Sequence, residues 1–171
     1  MTSRVVDAIV SEPGRAGVAD CERIMLAGGE RQGARVTGQT AKIASHCECG
    51  SMAVRQVNQF ILHDELWWDS EFSCGSCGTY LCEHAGPGPA PDDVREALLA
   101  ALGPVRLRLV GSVPSLVPAL KVFREVSAAS LSRARELVGE LSHDGLVGTL
   151  SEMEFLKARL QLRGVPVDVD R

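Results

Sequence analysis

The chain has 171 residues, 45% of them hydrophobic and 4% aromatic, and a net charge of −4. That is enough for one ordinary domain or two small ones with an apolar core. No apolar run approaches the roughly 18 residues of a membrane span, and Met1 to Val10 carries Arg4 and Asp7 without a signal-like apolar region, so a cytoplasmic protein with no membrane association is expected. Residues 1–90 hold 7 Lys/Arg against 11 Asp/Glu, and residues 91–171 hold 11 against 11. Neither half has the basic excess of a general nucleic-acid binder, so nucleic acid is not expected as a partner.

In chain order, residues 1–40 read as a poorly ordered N-terminal arm. A short helix over Val18 to Leu26 runs into Gly28-Gly29, and the remainder is rich in Gly, Arg, Gln and Thr, which bury little. Cys21 stands alone here. Ala53 to Ile61 is strand-like, His63-Asp64-Glu65 makes a polar turn, and Leu66 to Phe72 is a second strand with Trp67, Trp68 and Phe72 as bulk. Thr79 to His84 gives a third strand. Gly86-Pro87-Gly88-Pro89-Ala90-Pro91 sustains neither helix nor central strand and begins a linker over 87–104. That linker ends in a helix whose apolar positions are Val94, Ala97, Leu98, Ala101 and Leu102, with Asp92 and Asp93 at its start and Gly103 past its end.

Five of the six cysteines fall between Cys47 and Cys82. Cys47-Glu48-Cys49-Gly50 and Cys74-Gly75-Ser76-Cys77-Gly78 are two thiolate pairs, each followed by glycine and separated by the strand-forming insert. Residues 41–86 thus read as a zinc ribbon. Zn2+ takes four ligands tetrahedrally, and Cys47, Cys49, Cys74 and Cys77 can supply a closed structural site. Glycine after a ligand permits the positive φ that a tight turn around a metal requires. Cys82, His84 and His46 are the substitute ligands. Paired cysteines at metal spacings without an export signal favour metal over disulfides.

From Val105 onward the pattern is a half-buried strand (Val105, Leu107 and Leu109 alternating with Arg106 and Arg108), helices over Val117 to Val126 and Leu131 to Leu141, a short segment, a helix over Glu152 to Leu162, and a final strand over Val165 to Val169. The Ser127 to Ser130 break suits an N-cap for the second of these helices. Ala119-Leu120-Lys121-Val122-Phe123-Arg124-Glu125-Val126, the helix from Leu131 to Val138, and the closing Gly164-Val165-Pro166-Val167-Asp168-Val169 resemble the C-terminal domain of the bacterial ribosomal stalk protein. The likeness covers 105–171. It implies a compact βααβ-type α/β domain, and hence an α+β chain in which a small β-rich zinc ribbon precedes a stalk-like domain. It also implies that the helix pair recruits translational GTPases, with Lys121, Arg124 and Arg135 at the family's basic contact positions and Val117 and Leu120 at apolar ones. Leu116 stands where the family has another lysine, and Ala128 and Ser130 replace its turn glycines, which implies a retuned surface.

The expected function is therefore that of a non-enzymatic zinc-binding protein-interaction module engaging a translational GTPase or ribosome-associated factor. The alternative is an immunity- or antitoxin-type protein that neutralises a partner toxin. A third reading comes from His46-Cys47-Glu48 with Cys74-x-x-Cys77, which spells the H-x-E…C-x-x-C pattern of zinc-dependent nucleobase deaminases. Against it, the deaminase cysteines open helices whereas Cys49-Gly50 and Cys77-Gly78 favour turns, and Ser73 replaces the expected proline.

Overall fold

A computed structural model describes residues 38–170. Residues 1–37 of the arm expected over 1–40, including its helix at Val18 to Leu26, lie outside the described residues. Among the described residues, seven strands and four helices give an α+β architecture built on two antiparallel sheets. The first sheet is a meander in the order β1 (Gly38–His46), β2 (Met52–Leu62), β3 (Glu65–Ser73), β4 (Tyr80–Pro87). After α1 (Asp92–Leu102) come β5 (Val105–Leu109), α2 (Val117–Ser127), α3 (Leu131–His143), β6 (Leu146–Gly148), α4 (Leu150–Leu162) and β7 (Val167–Asp170). The second sheet has the order β6-β5-β7.

β1 begins at Gly38, inside the span expected to be arm, and pairs with β2 along its whole length, from Gly38 opposite Phe60 to His46 opposite Met52. Its inward positions include Gln39 and Ala41, too polar and too small to give an alternating hydrophobic signal. The tight turn between β2 and β3 places both His63 and Asp64 at positive φ (50° and 59°), the condition for a two-residue hairpin loop that follows the twist of its strands. α1 is no free spacer. Val94 and Leu98, both at 0% exposure, pack with Ala90 on Ala41 and Val57, and Arg55 of β2 reaches Asp93 at 2.5 Å.

The second sheet and α2–α4 enclose the larger core. Leu107, Phe123, Leu141 and Leu160 are its largest fully enclosed members. As expected, Ser130 caps α3, its Oγ accepting the Arg133 N–H at 3.2 Å. The short segment between α3 and α4 contains β6, which pairs with β5 through Val105 opposite Gly148. A Cβ at Gly148 would come within 2.5 Å of Glu152 Oε2 and 2.7 Å of Met153 Cε, so a larger residue there would displace the ends of both side chains.

The two sheets meet at the N-terminus of α4. Thr149 and Glu152 form a capping box, which satisfies two backbone donors at once. The same Thr149 hydroxyl donates to Gln59 Oε1, the Ser151 hydroxyl donates to the Gln59 carbonyl at 3.0 Å, and the Ser151 N–H donates to Gln39 Oε1 at 3.0 Å. Gln59, Thr149 and Ser151 are completely buried. Glu152 also accepts from Arg95 of α1 at 2.9 and 3.1 Å. The meander, α1 and the α/β half are thus joined by a buried polar seam.

Candidate metal centre and exposed helix pair

The meander puts its β1–β2 and β3–β4 turns at one end of the sheet and its β2–β3 turn at the other. All four cysteines of the two pairs sit in the turns at that shared end. In the first, the Cys47 N–H donates to the Ser51 carbonyl and the Gly50 N–H to the Cys47 carbonyl, each at 2.9 Å. In the second, the Cys74 N–H donates to the Thr79 carbonyl at 2.9 Å and the Gly78 N–H to the Cys74 carbonyl at 3.0 Å. Gly50 and Gly78 take φ of +84° and +74°, as expected for a residue that folds the chain back after a ligand.

The sulfurs converge. Cys47 Sγ lies 3.5 Å from Cys77 Sγ, Cys49 Sγ lies 3.7 Å from Cys74 Sγ, and all four fall within 4.8 Å of one another. Four sulfurs held tetrahedrally with bonds of about 2.3 Å stand about 3.8 Å apart, so the spacing suits a metal ion. Each turn supplies one buried sulfur, Cys47 or Cys74, and one exposed, Cys49 or Cys77. Ala53 and Phe72 pack beneath the buried pair. Without metal the thiols differ sharply in acidity. Cys77 is pulled down to about 6, chiefly by the Thr79 hydroxyl 3.1 Å away and then by the Thr79 backbone N–H. Cys49 is lowered by the Ser51 backbone N–H and hydroxyl. For Cys47 the Cys49 backbone N–H acts downward, but desolvation and the neighbouring thiols outweigh it and push the group up to about 11.

The four expected ligands therefore come together, and among the described residues they are the only such cluster. Exposed His46 ends β1 opposite Met52 and stays outside. Cys82 is on β4 opposite Glu71 and is disulfide-bonded, so it is no substitute ligand. A deaminase-type site would use His46 where this cluster uses Cys49, and its cysteines would open helices rather than close hairpins.

On the α/β half, Val117, Lys121 and Arg124 recur at i, i+4 and i+7 of α2, so they share one face. All three are exposed, Val117 at 56%. Arg135 is exposed on the adjoining α3, whereas Leu120 is half-buried against the core. Lys121, Arg124 and Arg135 make no ion pair among the described residues, unlike Arg133, which binds Glu136 and Glu140. Ala128, which ends α2, has φ of +46°, a left-handed conformation that favours glycine.

Sequence reasoning missed a cleft of about 860 Å3 where β3 faces α2–α4. Leu66, Phe123, Val126, Met153 and Leu156 line it, with the Arg95–Glu152 pair at its edge. These residues come from separate stretches, and no local spacing announces them. The Thr149-x-x-Glu152 pattern was the one available signal for the seam beside it. Comparison of the chain with protein-family models, curated proteins and solved structures finds no match.

Proposed function

We propose that this chain is a non-enzymatic protein-interaction module, stapled by a structural zinc ion at Cys47, Cys49, Cys74 and Cys77. It engages a translational GTPase or ribosome-associated factor through Val117, Leu120, Lys121, Arg124 and Arg135. The observation that carries the interaction is the α2 face itself: exposed cations at Lys121 and Arg124 that make no ion pair among the described residues, beside exposed Val117. An unpaired cationic and apolar strip complements an acidic, partly apolar partner surface. The likeness to the stalk protein's C-terminal domain names the class of partner. It draws support from the β-α-α-β-α-β order after Val105 and from the left-handed backbone at Ala128, where that family has a turn glycine. Zinc is supported by the donor set, since four thiolates and no oxygen select a soft or borderline metal and leave no open position for catalysis.

Direct binding to purified translational GTPases tests the partner. The Lys121→Glu/Arg124→Glu double variant should lose binding while keeping its thermal stability. An unchanged affinity sinks the docking face, and salt-insensitive capture of a single toxin-like protein instead would move the function to the immunity reading. X-ray absorption on the zinc-loaded chain tests the metal: four sulfurs at about 2.3 Å are expected, whereas one nitrogen, two sulfurs and a light-atom ligand would revive the deaminase reading.

A further inference from the structure

The four sulfurs of the cluster are not equivalent. Cys47 and Cys74, each the first cysteine of its turn, are 7% and 3% exposed and rest with Ala53 and Phe72 in a small apolar cluster. Cys49 and Cys77, the second cysteine of each turn, are exposed. The sulfurs in hydrogen-bonding contact cross from one turn to the other: Cys77 with Cys47 at 3.5 Å, and Cys49 with Cys74 at 3.7 Å. Each contact therefore joins one exposed sulfur to one buried sulfur.

That arrangement has the parts of a peroxide-reactive dithiol, twice over. An exposed thiolate meets a dissolved oxidant first, because susceptibility follows thiolate character and access. A sulfenic acid formed on it already touches a second sulfur, itself screened from the oxidant, which closes a disulfide ahead of irreversible oxidation. A disulfide of about 2.05 Å asks each pair to close by about 1.5 Å. The turns have room for that shift, since a Cβ built at Gly50, Gly75 or Gly78 would meet no atom within 4 Å.

We propose that the cluster is a site of reaction with hydrogen peroxide, in which exposed Cys77 and Cys49 are oxidised and buried Cys47 and Cys74 resolve them. The zinc staple is thereby exchanged for two cross-turn disulfides, Cys47–Cys77 and Cys49–Cys74. This rests on the zinc reading given above. Each exposed thiolate attacks one peroxide oxygen, and the O–O bond breaks to leave a sulfenic acid and a hydroxide, which takes a proton to become water. The buried thiolate then attacks the sulfenic sulfur and expels a second hydroxide, protonated in turn. Over both pairs, four thiolates give four electrons to two peroxides. Four protons are consumed, and two disulfides, four waters and free Zn2+ result.

The metal leaves because the thiolate, and not the disulfide, is its ligand. The turns stay joined. The two new bonds link positions 30 and 25 apart in the chain, and cross-links that close long loops restrict the unfolded state most. A thiol reductant reverses the change by exchange and returns four thiols to the metal.

The test titrates the full zinc-loaded chain with hydrogen peroxide. Zinc captured by a chromogenic chelator should reach one ion per chain at two peroxides per chain. Alkylation in denaturant without reduction, digestion and tandem fragmentation should then find Cys47 linked to Cys77 and Cys49 linked to Cys74. The amides of Cys47, Gly50, Cys74 and Gly78, which bond within their turns, should exchange as slowly as in the zinc form. They should exchange several-fold faster once dithiothreitol is added with the chelator retained, whereas the zinc-loaded chain keeps its protection in the same reductant. Zinc retained under peroxide, links within a turn (Cys47–Cys49 or Cys74–Cys77), sulfinic acids at Cys49 and Cys77, or protection lost together with the zinc would each overturn the exchange and leave the zinc reading standing. A chain that takes up no zinc before peroxide is added overturns the zinc reading, and the exchange with it.

Discussion

At the metal end of the meander the packed groups are Cys47, Cys74, Ala53 and Phe72, whereas the α/β half encloses Leu107, Phe123, Leu141, Leu160, Val165 and others in a continuous core. The first set removes little apolar surface from water, and at roughly 25 cal/mol per Å2 such a set cannot hold two hairpin turns together. A cross-link between the turns can, because metal binding free energy becomes folding free energy where the unfolded chain has no preformed site. The α/β half needs none. Between the two stands the seam of Gln39, Gln59, Thr149 and Ser151, which makes them structurally one body without lending either its core. The contrast sets four cysteines close enough to hold a metal ion, where apolar residues are scarce, against packing where they are plentiful.

The largest way to break this contrast is to remove the metal. Structural zinc contributes on the order of 10 kcal/mol in comparable small sites, so chelation or Cys74→Ser should strip hydrogen-exchange protection from β1–β4 near the turns while β5 and α2 keep theirs. Simultaneous loss in both halves would show that the seam, and not each core, sets the cooperative unit. Acid acts in the same direction. Cys77 lies below its unfolded value at about 6, so the stability it supplies to the metal-free chain is present above the unfolded value and lost as pH falls through about 6. Cys47, raised to about 11, contributes oppositely, its share being lost only as pH rises through that value. Metal must displace the Cys47 proton at neutral pH, so affinity measured by competition with a chelator should fall as pH drops, and more steeply below the Cys77 value.

Next in size is Phe123→Ala. Phe123 is 2% exposed in the larger core, and its truncation should cost about 3–5 kcal/mol in denaturant unfolding without altering metal stoichiometry. A simultaneous loss of metal would mean the halves share their stability. Thr149→Val comes third. It removes the α4 cap and leaves Gln59 Oε1 without its donor, for about 2 kcal/mol in all; a negligible change would say the seam is idle. Smallest is Ala128→Gly, which relieves a left-handed residue at φ +46° and should stabilise the α2–α3 turn by about 1 kcal/mol. A loss of stability there would show that the alanine methyl is packed and not merely tolerated.

Legibility followed signal length. The α1 stripe at Val94, Ala97, Leu98 and Ala101, the Ser130 cap and the paired cysteines with their glycines could all be read locally, because each is set by residues within a turn or two of one another. β1 was hidden because Gln39, Ala41 and Ser45 carry no hydrophobic alternation; its strand state comes from pairing with β2 along the whole of its length. β6 is three residues long, shorter than any periodicity. The cleft and the seam draw on positions roughly ninety residues apart, such as Gln59 and Thr149, which no window along the chain can connect.

By itself, then, the sequence determined the chemistry of the four thiols, the α+β alternation and the positions of most helices, since turn chemistry, capping and apolar spacing are short-range properties. Only the tertiary structure decided that the two hairpin turns share one end of a sheet and bring Cys47 to Cys77 and Cys49 to Cys74. It also decided that α4 plugs its capped N-terminus into Gln59, and that Lys121 and Arg124 stand exposed without a counter-charge among the described residues. Those outcomes depend on strand pairing and burial across long loops, where geometry rather than local preference sets which groups meet.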